Sequence, residues 1–350
     1  MAWRSGQREQ CAETGGTEVT TPMTSTNAVQ MSAFGPPEVL VYVSMQLPTL
    51  QPDEVRIRTI ASAVNHTDLQ IRAGNWPIRK QKLFPYVPGV EVVGEIAEVG
   101  SLVHRLSPGD RVMTMMQGLG GVRGERPGGY AEVVTAAADA VALIGSAVDL
   151  YVIAALGLGG VTAYEGLRRI GVLAGKRLLV TGAAGGVGSA AIAIAKAQGA
   201  TVTGVVSHAG QSDYVRSLGA DDIVLSTSDA PLDLEAASVD GVLDTVGAAV
   251  FENCLRALKP GGVLSLVGAV SGSDVRFDLW DLIRPVTLTG YSSETLDGSA
   301  LRHAVDDLAR WVQEGHMAAL RYVTVPLAEA ARAHTLLESR GVSGRVLLIP

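Results

Sequence analysis

Hydrophobic and polar positions change rhythm along the chain. From Ala28 the apolar residues fall in short alternating or β-rich runs, Val39–Val43, Glu54–Ala63, Val90–Val99, Arg111–Met115 and Tyr130–Val134, each of strand length and bounded by turn residues. Pro36-Pro37, Pro48, Pro52, Pro85, Pro88-Gly89 and Pro108-Gly109-Asp110 supply the punctuation. This texture predicts an antiparallel β domain. A helical pattern over Leu150–Ile170 follows, and beyond it strands and helices alternate. Leu178–Thr181, Thr201–Val206, Asp222–Leu225, Gly241–Asp244 and Val263–Val267 are the predicted strands, with helical stretches at Ser212–Ser217 and Val250–Leu258. Such alternation predicts a parallel doubly wound sheet. The remaining helix (Ser299–Glu314), strand (Tyr322–Val325), helix (Leu327–Ser339) and strand (Arg345–Ile349) are expected to return to the first domain. Residues 1–26 lack apolar periodicity and a hydrophobic stretch of signal-peptide length, so they read as a disordered leader, with Met23 a candidate start.

The stretch from Leu178 to Gln198 carries the chemistry. An apolar strand runs into Gly182-Ala183-Ala184-Gly185-Gly186-Val187-Gly188, and Val187, Ala190, Ala191 and Ile194 then recur at helical spacing. Residues 183–188 fit A-x-G-x-x-G, a turn in which backbone approaches a diphosphate closely and helix N-terminal N–H groups face the anion. Gly188 lets helix and strand pack tightly. The strand at Thr201–Val206 completes a βαβ unit, which turns a weak glycine pattern into a nucleotide-site prediction.

Composition narrows the partner. A net charge of −7 without any Lys/Arg block argues against a nucleic-acid or anionic-membrane surface and leaves a small molecule. Two cysteines, Cys11 and Cys254, build neither a disulfide framework nor an all-cysteine zinc cluster, and a reducing cytosol is the simplest compartment. The longest apolar run, Val152–Val161, is shorter than the ~18 residues a membrane span needs, so none is expected.

Several motifs stand in a telling order: Phe34-Gly-Pro-Pro-Glu-Val-Leu40, Ala63-Val-Asn-His-Thr-Asp-Leu69, Pro85-Tyr-Val-Pro-Gly-Val-Glu91, Pro108-Gly-Asp-Arg-Val112, Gly128-Gly-Tyr-Ala-Glu132, Thr162-Ala-Tyr164, the glycine turn, Leu243-Asp-Thr-Val-Gly247 and Leu258-Lys-Pro-Gly-Gly262. Together they resemble the medium-chain dehydrogenase/reductase superfamily, specifically its zinc-free quinone oxidoreductase branch, over most of residues 28–350. The resemblance implies an α/β plus β architecture: a GroES-like substrate domain (27–152 and 294–350) and a Rossmann NADP-binding domain (153–293), in a homodimer, with the nicotinamide in the cleft between domains. It also shows departures from the zinc alcohol dehydrogenases. Asn65-His66-Thr67-Asp68 and Gly89-Val90-Glu91 stand where those have Cys-His-Thr-Asp and Gly-His-Glu, so two zinc ligands are missing and no metal is expected.

The same resemblance assigns roles. Asn65 lines the nicotinamide and substrate cleft, where an amide both donates and accepts. His66 and Asp68 read as structural residues, Glu91 as a buried hydrogen-bonding group. Thr162 and Tyr164 open a helix beside the nicotinamide. Thr245-Val246-Gly247 and Gly268-Ala269-Val270 follow strands at the carboxyl edge of the sheet, where doubly wound folds bind ligands. Ser207 and His208 occupy the end of the second Rossmann strand, where NAD-specific folds place an acid; without one the site leans to NADP. Gln211 and Ser226 stand where relatives often carry a lysine and a tyrosine, so Arg216 or Arg340 is left to meet the 2′-phosphate.

Without metal, the expected chemistry is hydride transfer from NADPH to a quinone or an α,β-unsaturated carbonyl, with Asn65 meeting the developing oxyanion and Tyr164 or water completing protonation. An enoyl-thioester reductase is the enzymatic alternative, weakened by Gly74-Asn75-Trp76 where those relatives have a tyrosine. A cofactor-binding protein without turnover is the alternative from another class.

Overall fold

The computed structural model describes residues 23–76, 84–119, 126–226, 232–339 and 341–350. Strands β1 (Ser25–Gln30) and β2 (Val41–Gln46) pair antiparallel as a small separate sheet. Then come β3 (Glu54–Ala63), helix α1 (His66–Ala73), β4 (Glu91–Val99), β5 (Arg111–Met115), β6 (Val133–Ala137) and β7 (Val141–Leu143). The long helix α2 (Leu150–Ile170) leads to β8 (Arg177–Val180), α3 (Gly186–Ala197), β9 (Thr201–Val206), α4 (Ser212–Ser217) and β10 (Asp222–Leu225). Next are β11 (Val239–Asp244), α5 (Phe251–Ala257), β12 (Leu258–Leu266), α6 (Leu279–Ile283) and β13 (Thr287–Gly290). The chain closes with α7 (Gly298–Gln313), β14 (Tyr322–Pro326), α8 (Ala330–Glu338) and β15 (Arg345–Ile349).

Two larger sheets result. One has the order β14-β15-β3-β4-β5-β7 with β6 also on β3, so the last two strands do return to the first domain. The second is parallel throughout, in the order β10-β9-β8-β11-β12-β13. Counting β8 as its first strand gives 3-2-1-4-5-6, the dinucleotide-binding order, whose direction reverses between β8 and β11. In doubly wound sheets such a reversal is where the loops beyond the carboxyl ends of the two strands diverge and ligands bind.

Helix α2 joins the two bodies, packing on β3 and β4 on one side and on α3, β11 and β12 on the other. By length and composition alone it could span a membrane, but 89% of its most apolar window is buried inside the protein. Of the leader expected over residues 1–26, residues 1–22 lie outside the described residues, and residues 23–26 are part of the fold. Met23 already bonds Glu98 and Arg56 through its backbone, Ser25 and Thr26 lie in β1, and Thr26 is buried, because the paired backbone there is satisfied by β2. Strand β13, missed in the sequence, is short and mostly exposed at the edge of the parallel sheet, so its apolar pattern is faint.

Candidate active site

The glycine turn sits at the carboxyl end of β8, beside the reversal of strand order. Gly182 has φ +59, and a Cβ there would stand 2.3 Å from Thr245 Oγ1. A Cβ on Gly188 would stand 2.2 Å from the Gly182 carbonyl oxygen, so the helix can approach the strand only without a side chain. Gly185 caps α3 with no side-chain hydrogen bond, leaving the first N–H groups of the helix to an anion. This cradle fits a diphosphate. Ala184 is buried at the turn, with Gly186 and Val187 beginning the helix.

Opposite lies a buried cluster drawn from four distant segments. Asn65 caps α1: the Asp68 carboxylate accepts its backbone N–H at 2.9 Å and the Val90 N–H at 3.1 Å. Asn65 Nδ2 donates to Glu91 Oε1 at 2.7 Å and to the Ala63 carbonyl at 3.1 Å. Arg345 Nη2 donates to Asn65 Oδ1 at 3.0 Å and to Glu91 Oε1 at 2.8 Å. The other Glu91 oxygen takes the Leu158 N–H at 2.6 Å. That bond caps the second half of α2 from outside, where Gly157 (φ 45, ψ −144) breaks the helix. Burial pushes the Glu91 carboxyl up, opposed chiefly by Arg345 and then by Asn65. Asp68, fully buried and near Glu91, is pushed up to about 7 by desolvation.

Arg345 also ties this cluster to the turn, since a Cβ on Gly186 would stand 2.3 Å from its Nη1. Thr162 shares the α2 face of Gly159, which meets Gly186–Val187, and Gly166, which meets Leu243 and Val267. Its buried hydroxyl has no hydrogen-bond partner among the described residues.

A family model described as alcohol dehydrogenase GroES-like domain matches residues 51–146, and one described as zinc-binding dehydrogenase matches residues 186–313. The quinone oxidoreductase of Pseudomonas aeruginosa is 31% identical over 335 residues, 92% of this chain and 99% of that one. The chain belongs to the medium-chain dehydrogenase/reductase superfamily, in its quinone oxidoreductase branch. The 2-methylene-furan-3-one reductase of Solanum lycopersicum is 36% identical over 247 residues, 70% of this chain and 63% of that one. A structure of Escherichia coli quinone oxidoreductase complexed with NADPH superposes with a TM-score of 0.80 at 28% identity, covering 93% of this chain and all of that one.

Against the superfamily's zinc enzymes, the two departures have structural content. Asn65 is committed to Glu91 and Arg345, and Val90 is a fully buried apolar residue. Among the described residues no group of three or more His, Cys, Asp or Glu is placed to hold a metal.

The other expected site residues divide. Thr245 donates twice to Thr181 between the ends of β8 and β11, its backbone N–H to Thr181 Oγ1 and its own Oγ1 to the Thr181 carbonyl, each at 2.9 Å, so its hydroxyl holds the strand ends rather than facing a ligand. Val246 and Gly247 give their N–H groups to Asp244. Gly268 lies against the Thr245 backbone, while Ala269 and Val270 are exposed beyond it at the same edge. Ser207 and His208 are exposed at the end of β9, with Gln211 Oε1 accepting the Ser207 N–H at 3.2 Å.

Two expectations need correction. Tyr164 is not in the cleft: its hydroxyl donates to Asp307 Oδ2 at 2.7 Å and its ring packs on His303 and Trp311 of α7. Six positions beyond Leu158, it points to a different face of α2 from Thr162. Asn65 is not a free donor, since both amide hydrogens are engaged. Arg340 lies outside the described residues. Glu91 is the buried hydrogen-bonding group expected, while sequence reasoning missed Arg345 altogether; the available signal was a lone charge heading an otherwise apolar strand, Arg345-Val-Leu-Leu-Ile349.

Proposed function

We propose that this protein is an NADPH-dependent reductase that delivers hydride to a quinone or an α,β-unsaturated carbonyl. The observation that carries the reading is the Asn65–Glu91–Arg345 cluster. Where the family resemblance puts two ligands of a catalytic metal stand an amide and an apolar valine, beside a carboxylate already neutralised by a guanidinium. The Glu91 carboxylate is already engaged by Asn65, Arg345 and the Leu158 N–H, which supports an acceptor that needs no Lewis acid. NADPH supplies the hydride when bound. The chain's own groups hold it: the glycine turn and α3 N-terminus take the diphosphate, Thr162 offers a buried hydroxyl on the side of the nicotinamide, and Ser207 and His208 leave room for a 2′-phosphate. Arg345, standing over Gly186, adds positive charge from the other domain. Asn65 orients the cleft through its bonds to Glu91 and Arg345.

The enzyme works in the cytosol and as a homodimer; the dimer is supported by an exposed apolar surface on α6 and β13 that includes Leu279, Trp280, Ile283 and Leu288. The test is NADPH consumption over a panel of quinones, enones and enoyl-CoA thioesters, with elemental analysis of the same sample. Oxidation with quinones or enones at substoichiometric zinc is the expected result. Inactivity toward both classes, or one zinc per chain whose removal abolishes activity, overturns the reading.

A further inference from the structure

The turn after β9 brings no permanent cation of its own. It reads Ser207-His208-Ala209-Gly210-Gln211, and Gln211 Oε1 accepts the Ser207 N–H. A phosphate on the ribose at this turn needs a positive charge from elsewhere. Arg216, expected from the sequence as one source, lies two residues beyond Tyr214 on α4, about 200° around the helix from it.

The other sheet supplies a cation. Arg321 stands one residue before β14, and its backbone is pinned beside Arg345. The Arg345 N–H donates to the Arg321 carbonyl at 2.9 Å, and a Cβ on Gly344 (φ +112) would stand 2.4 Å from that same oxygen. From this one place the two guanidinium groups part. Arg345 turns over Gly186 at the N-terminus of α3. Arg321 reaches to α4, its guanidinium carbon 5.1 Å from the centre of the Tyr214 ring.

Tyr214 is a fixed platform, since its side chain is buried. It lies three residues from Gln211, close to one helical turn, and such positions stand about 5–6 Å apart. The guanidinium is therefore held beside the β9 turn. Arg321 is exposed, and among the described residues no carboxylate pairs with it. Asp213, the acid nearest along α4, is turned about 100° from Tyr214. The ring face attracts the cation without taking a conventional hydrogen bond from it, so the N–H donors of Arg321 stay available to an anion.

We propose that Arg321 is the residue that determines cofactor specificity: stacked on Tyr214, it meets the 2′-phosphate at the β9 turn, while Arg345 serves the diphosphate. The proposal rests on the reading that this chain takes NADPH. Recognition of the extra phosphate then comes from a residue far along the chain, in the sheet opposite the nucleotide-binding one.

Equilibrium titration of the whole protein with 2′,5′-ADP and with 5′-AMP tests this without any turnover. Wild type binds 2′,5′-ADP about ten- to a hundredfold more tightly than 5′-AMP. Arg321→Leu removes most of that ratio by weakening 2′,5′-ADP alone, and Arg321→Lys keeps part of it because the charge remains. A wild type that does not distinguish the two nucleotides overturns the NADPH reading and this assignment with it. A wild type that does, with a folded Arg321→Leu variant that keeps the full ratio, leaves that reading standing and overturns the role of Arg321. Equal loss of both nucleotides in the variant puts Arg321 at the diphosphate instead and likewise overturns the assignment.

Discussion

Arg345 Nη2 donates to Asn65 Oδ1 over 3.0 Å, joining residues 280 positions apart. The bond links the last strand of the chain to the N-cap of α1. Through the same nitrogen Arg345 neutralises Glu91, and its other amino group stands over the glycine turn. One guanidinium thus serves the fold, the cleft and the anion site.

Arg345→Ala leaves Glu91 buried with no cation. Truncating one partner of such a pair costs about 3–5 kcal/mol, so the urea midpoint should fall sharply. NADPH affinity should fall as well. Glu91→Gln in the same background should recover stability without recovering affinity, which separates the two roles in a denaturation and fluorescence-titration pair.

Gly157→Ala attacks the same cluster from α2. The new Cβ would stand 2.0 Å from Glu91 Oε2, at a φ of +45 that side chains rarely adopt. Backbone strain and the lost bond to Leu158 together suggest a loss of roughly 2–5 kcal/mol. Thermal unfolding measures it, and a Tm within a degree or so of wild type would show that α2 bends without needing glycine.

Asp68 imposes a sign on stability. Its pKa is raised from 3.8 to about 7 on folding, so within that window the native state keeps a proton that the unfolded chain has released. Stability is therefore highest below the unfolded value, falls as pH climbs through the window, and flattens above it for this group. Glu91, also raised, adds a slope of the same sign. Asp68→Asn should flatten the Asp68 contribution in urea titrations; an unchanged slope would assign it to Glu91.

Ser207→Asp brings negative charge to the exposed end of β9, the turn proposed to meet the 2′-phosphate. If one charge-assisted bond sets the preference, NADPH binds about ten- to a hundredfold more tightly than NADH in the wild type. The substitution should narrow that ratio mainly by weakening NADPH. Equal affinities in the wild type would reject the assignment of this turn to the phosphate.

The sequence by itself determined the local elements and the cofactor turn. Glu54–Ala63, Arg111–Met115, Leu150–Ile170 and Thr201–Val206 lie where their periodicity predicts, because helix and strand periods are written in neighbouring residues. The glycine turn was legible for the same reason, its four glycines and flanking strand and helix being contiguous. What only the tertiary structure decided was which polar groups meet. Tyr164 reads as a cleft residue in the chain, yet helical phase turns it onto Asp307 of α7. Asn65 reads as a free amide, yet β4 and β15 bring a carboxylate and a guanidinium to both of its ends. Glu91 reads as a buried hydrogen-bonding group without a named partner, and Arg345 carries no reading at all until the fold sets the two 2.8 Å apart. A buried charge must find its partner wherever the fold brings one, and sequence separation carries no record of that distance.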